Sequence, residues 1–250
     1  LLGAVTQEKL DNQIGVVQNE KRQGDNQPYG KTQYRILEAL FPPGHPYRHS
    51  TIGSMADLSA ASLETVQQWF KDYYGAANTL LVLTGDIDVD QAKTLTEKYF
   101  GDIDAGPPVT RMKAAVPTHL SDTHEVMYDR VPQARVFHNW VAPGRTTRAA
   151  AELELVASIL GSGKNSRLYQ ALIYDQQLAV DASSSLQGQE LVSMFDIDVT
   201  LQPDASMDRV NAIIERELQS FIDNGPTADE LQRVQTRINA RVVRGLEQIG

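Results

Sequence analysis

A stretch with no hydrophobic period cuts this chain in two: Asp104-Ala-Gly-Pro-Pro-Val-Thr-Arg-Met-Lys-Ala-Ala-Val-Pro117. Proline withholds a backbone donor and locks its own dihedral, so three prolines in fourteen residues neither extend a helix nor fill a central strand. Such stretches join domains. The expected organisation is a first domain over 1–104, a linker over 105–118 and a second domain over 119–250.

Before the linker, the pattern is mostly helical. Residues 6–22 read as a helix with Thr6 as N-cap and Lys9, not Glu, at the third position, so the capping box is incomplete. Leu10, Ile14 and Val17 make its apolar stripe. Helices are expected over 31–40, 62–74 and 88–100, and a short apolar strand over 78–84 (Asn-Thr-Leu-Leu-Val-Leu-Thr). Phe41-Pro-Pro-Gly-His45-Pro46 is a loop, because its prolines deny helix bonds.

After the linker, the expected order is two strands, two helices, two strands, two helices. The strands fall near 123–130, 133–142, 178–187 and 190–201, and the helices near 147–161, 165–175, 206–224 and 227–248. Phe195, Ile197, Val199 and Leu201 alternate with Asp196, Asp198 and Thr200, the two-residue period of a strand with unlike faces. Gly188-Gln189 is a candidate hairpin turn. Paired strands beside paired helices indicate an α+β fold, with a largely antiparallel sheet and helices on one face. Leu1–Val5 runs straight into a helical pattern and Arg241–Gly250 stops inside another, so the chain is expected to be an internal piece, with both domains truncated.

The chain carries a formal charge of -9, and its Lys and Arg are not clustered, which argues against nucleic acid as a partner. The absence of cysteine removes disulfides, thiolate metal sites and cysteine nucleophiles. No apolar run reaches the roughly 20 residues of a membrane span.

Catalytic zinc needs about three protein ligands. His45 and His49 have the four-residue spacing of a helical pair, but Pro46 lies between them, and packing against Tyr47 explains them better. His119, His124 and His138 form no H-E-x-x-H or H-x-x-E-H. Gly161-Ser-Gly-Lys164-Asn-Ser166 resembles the end of a phosphate-binding loop, but a helix precedes it and Asn165 follows the lysine, so it reads as a cap between helices. There is no G-x-S-x-G elbow. Glu20 follows Val16 and Val17 at helical spacing and borders their face. On physics alone it is a wet edge residue beside Lys21 and Arg22.

Val16-Val-Gln-Asn-Glu20-Lys-Arg22 resembles the third-ligand helix, V-V-x-N-E-x-R, of the pitrilysin/insulinase metallopeptidases, and bacterial zinc proteases of that family in particular. The likeness continues in order through Asn26–Gly30, Phe41–Tyr47, Thr51–Gly53 and Phe70–Asp86, and then through Gly161-Ser-Gly-Lys-Asn-Ser-Arg-Leu168, which is similar to a second-domain turn written G-x-x-S-R-L. A second acidic residue often stands seven positions before the ligand; here that position is Gln13.

The resemblance implies two related α+β domains in each half-molecule and two halves closing around a peptide or small protein. It implies zinc in the parent protein and none bound in this piece. Glu20 maps onto the third zinc ligand, while an H-x-x-E-H helix some seventy-odd residues earlier would supply two histidines and the base that takes a proton from the metal-bound water. No catalytic residue is then expected in this chain. The partner half grips substrate with an Arg and a Tyr; the matching positions here are Ile173 and Val180, which fits the metal-bearing half. The implied activity is endopeptidase hydrolysis in the periplasm; the alternative is a non-catalytic scaffold subunit of the same family.

Overall fold

The computed structural model describes residue 3 and residues 5–247. In chain order the helices are α1 (Gln7–Asp25), α2 (Thr32–Leu40), α3 (Met55–Ala60), α4 (Leu63–Tyr73), α5 (Val89–Phe100), α6 (Arg148–Gly161), α7 (Met207–Asn224) and α8 (Ala228–Leu246). The strands are β1 (Arg135–Pro143), β2 (Ala179–Gln187) and β3 (Val192–Leu201). The helix expected over 165–175 is a π-helical segment over Tyr169–Asp175.

Most of these helices start where a hydroxyl or carboxylate can hold a free N–H. The side chains of Thr6, Ser54, Ser62, Asp88, Thr147, Ser206 and Thr227 each accept from the backbone N–H three residues on. Thr227 and Glu230 complete a reciprocal capping box.

The chain forms two compact units. One comprises Leu1–Gln27 and Thr51–Met112, the other Pro28–Ser50 and Lys113–Gly250. The break at 112/113 falls inside the irregular stretch, and the segment 28–50, which carries α2, belongs to the second unit.

The second unit is built on a three-stranded antiparallel sheet ordered β1-β3-β2. Val199, Ile197 and Phe195 of β3 stand opposite Val136, His138 and Trp140 of β1. Phe195, Ile197, Val199 and Leu201 pack with Leu160 of α6, Leu172 of the π segment, and Val210 and Ile214 of α7. A second cluster joins Val192 and Met194 to Leu37, Leu40 and Phe41 at the end of α2. The fold class is therefore α+β, with α2 an addition to the helices on the main core. The β2–β3 connection runs over Gly188–Leu191, longer than a two-residue turn.

Two expected strands are not formed. Residues 79–84 and 123–130 have no strand pairing. A strand exists only where a second backbone meets its donors and acceptors, and among the described residues none does so here. The apolar residues of the first segment stay open to solvent: Leu80 is 85% exposed and Val82 68%.

Candidate functional site

The candidate metal-ligating helix is α1, in the first unit. Its N-cap is Thr6, as its sequence indicates. Leu10, Ile14 and Val17 are half-buried, and Lys21, next along that stripe, is buried. Gln18 Nε2 donates to Ser59 Oγ at 3.0 Å and ties α1 to α3. Val16 is half exposed and Glu20 exposed, so these two residues, one turn apart, face away from the stripe.

The charged neighbours of Glu20 are committed elsewhere. Lys21 Nζ pairs with Asp25 at 3.5 Å, and Arg22 Nη1 donates to Asn19 Oδ1 at 2.7 Å. Glu20 has no hydrogen-bond or ion-pair partner among the described residues. Glu20 is thus an open carboxylate, a hard oxygen donor, as is Glu8 in the first turn, and Gln13 two turns before Glu20 is exposed and uncharged.

Among the described residues, no group of three or more His, Asp or Glu is placed to hold a metal. All five histidines lie in the second unit. His45 stacks on Phe41 with ring centroids 4.6 Å apart, and its Nδ1 accepts from Tyr47 N at 3.1 Å. His119 Nε2 lies 3.0 Å from Leu40 O, and His138 Nε2 lies 3.0 Å from Asn211 Oδ1. These are packing histidines, as the spacing around Pro46 indicates for His45. Catalytic zinc draws imidazole nitrogen or thiolate sulfur into its ligand set, and the first unit has neither histidine nor cysteine. The residues present do not make a zinc site.

The Gly161–Leu168 turn is a structural joint. A Cβ on Gly161 would lie 1.9 Å from Ser184 N, so only glycine lets α6 end against the backbone of β2. Ser166, buried, donates to Gly163 O at 2.7 Å, and Leu168 is fully buried in the core. Arg167 forks onto Glu230, with Nε and Nη2 at 2.7 and 2.8 Å from its two oxygens, and also donates to Gly225 O at 3.0 Å. The guanidinium holds the Glu230 carboxyl down at about 2, against the opposing push of burial and with help from Thr227. Ile173 packs on the main core, and Val180 sits at the register shift between Ala179 and Asp181.

A family profile described as the peptidase M16 inactive domain matches residues 60–238. The chain belongs to the M16 peptidase family. Zinc protease PqqE of Helicobacter pylori is 24% identical over 237 residues, covering 93% of this M16 chain and 53% of that protein. The crystal structure of a protease from Helicobacter pylori superposes with a TM-score of 0.80 at 22% identity, over 98% of this chain and 60% of that one. The peptidase M16 inactive domain from Pseudomonas fluorescens gives 0.77 at 18% identity, over 97% and 60%. The M16 chain spans about half the length of the curated relatives it matches. No described helix is long and apolar enough to cross a membrane.

Two features of this M16 chain were hidden from sequence reasoning. Glu230 as the mate of Arg167 is 63 positions away, and the one local signal is its place in the Thr227-x-x-Glu cap. Asp196 is 5% exposed although strand alternation puts it opposite the core face. Burial first, and then the charge of Asp198, push its carboxyl up to about 6, and a hydrogen bond from Gln187 pulls the other way. Its Oδ2 has no partner among the described residues, nor has Nδ2 of Asn139, the residue across the ladder.

Proposed function

We propose that this M16 chain is a piece of a zinc-dependent endopeptidase. Residues 1–104 are the later part of the first, metal-bearing domain, 105–118 the linker, and 119–250 most of the second family domain. The observation that carries the proposal is Glu20: an exposed, unpaired carboxylate on a V-V-x-N-E-x-R helix, where the neighbouring Lys21 and Arg22 are bonded to Asp25 and Asn19. Glu20 is the third zinc ligand. The two histidine ligands and the glutamate base belong to polypeptide outside this chain, so this piece neither binds zinc tightly nor hydrolyses peptides.

The uncovered apolar surface of the first unit supports this proposal. Leu80, Val82, Val89 and Phe100 are all more than half exposed. Exposed apolar surface on this scale marks an interface, and further polypeptide of the same family is its occupant. A second half-molecule or partner subunit closes around the peptide or small protein substrate, in the periplasm.

The test is the coding sequence upstream of Leu1. An intact H-x-x-E-H seventy-odd residues before Glu20 is expected. A sequence there with the histidines or the glutamate replaced would overturn the enzyme reading in favour of a family scaffold subunit.

A further inference from the structure

The P-loop-like turn gains a different significance once α8 is set beside it. The end of α6, the loop Ser162–Ser166 and the first turns of α8 line an open cleft of about 250 Å³ in the second unit. Three cationic residues line it: Lys164 from the loop, and Arg233 and Arg237, one turn apart on α8. The carboxylate that also lines it, Glu230, is saturated by Arg167 and by Thr227 N at 2.8 Å, so that pair adds no net charge. Neither Lys164 nor Arg233 has an ion-pair partner among the described residues, and Arg237 Nη1 bonds only a neutral oxygen, Ser162 O, at 2.8 Å. Three cationic residues without an ion-pair partner among the described residues therefore line one cavity in a chain whose formal charge is -9.

We infer that this cavity binds a small phosphate-type oxyanion. Two guanidinium forks on one helix face suit an oxyanion with several oxygens, and the Lys164 ammonium adds a point charge from the facing loop. Ser158 and Ser162 line the same space. Gly163 turns the loop at φ 84, and a Cβ there would stand 3.5 Å from Arg237 Nη1. The volume exceeds what one phosphate fills, so a phosphate ester fits as well as the free ion. The site is independent of Glu20 and of the zinc proposal.

The experiment titrates inorganic phosphate into the 250-residue chain at ionic strength held constant with chloride, by calorimetry and by ³¹P line broadening. Saturable one-site binding is expected, and Lys164→Gln and Arg233→Gln should each weaken it roughly tenfold or more, the loss of one charge-assisted contact. Both side chains are exposed and hold no structural bond, so both variants should keep the wild-type far-UV spectrum. Phenyl phosphate is the second probe. Binding at least as tight as phosphate identifies a phosphorylated molecule as the ligand class; weaker binding identifies the free ion. Absence of saturable binding by either probe, or binding that both substitutions leave unchanged, overturns the proposal.

Discussion

The two compact units use the same helical vocabulary and end in opposite states. The second has Leu160, Leu168, Leu172, Ile197, Val199, Val210 and Ile214 at or near zero exposure around one sheet. The first, among the described residues, has no buried hydrophobic side chain; Lys21 is its buried residue. It has apolar positions of its own: Trp69, Tyr73, Leu80, Val82, Leu95, Tyr99 and Phe100 are present and exposed. Amphipathic pattern alone does not make a core. A helix buries its stripe only when a second layer is there to receive it, and the sheet that plays this part in the second unit has no counterpart among the described residues of the first.

That contrast can be broken by substitution. Leu160→Ala should destabilise the chain by about 3 kcal/mol, the cost of a cavity in a packed core, whereas Leu80→Ala should change it by less than about 0.5 kcal/mol. Urea unfolding measures both; equal effects would mean that the first unit has a core after all.

A nearly equal effect is expected at the joint of α8. Glu230→Gln should cost about 2–3 kcal/mol at pH 7, since it leaves the Arg167 guanidinium, 15% exposed, without its mate. The pH window follows from the folded value. Glu230 titrates at about 2 when folded against 4.5 unperturbed, so its contribution is full above 4.5 and is lost as pH falls towards 2. Wild type should show that loss in an acid titration of stability, and the glutamine variant should not.

Asp196 runs the other way. Its folded value is about 6 against 3.8 unperturbed, so it favours the fold fully below 3.8 and ceases to do so as pH rises through 6. Asp196→Asn should flatten that slope and gain about 1 kcal/mol at pH 7.5 relative to wild type. Thermal unfolding at pH 4 and pH 7.5 reads the difference; an unchanged slope would mean the buried carboxylate is ionised at no cost.

Much of the second unit was legible residue by residue. The helices expected near 147–161, 206–224 and 227–248 are formed, each opening on a capping hydroxyl of Thr147, Ser206 or Thr227, and the alternation from Phe195 to Leu201 marked the central strand. Burial of Asp196 was not legible, because alternation says which residues share a face and not what covers that face. The segments 79–84 and 123–130 have strand composition and form no strand, because pairing is a property of two backbones. The site divides in the same way. Elementary chemistry places Glu20 on a helix edge, and the zinc-ligand role proposed for it rests only on the ordered likeness to a family.

The central proposal is that Glu20 is one of three protein ligands to zinc in a peptidase, the other two being histidines. The direct measurement is zinc content by equilibrium dialysis of the polypeptide carrying both the H-x-x-E-H helix and this chain, with Glu20 intact and as Glu20→Gln. One zinc per molecule with Glu20, and affinity reduced by about a hundredfold or more with Gln, is the predicted result. Undiminished one-to-one binding in the Glu20→Gln protein would contradict it.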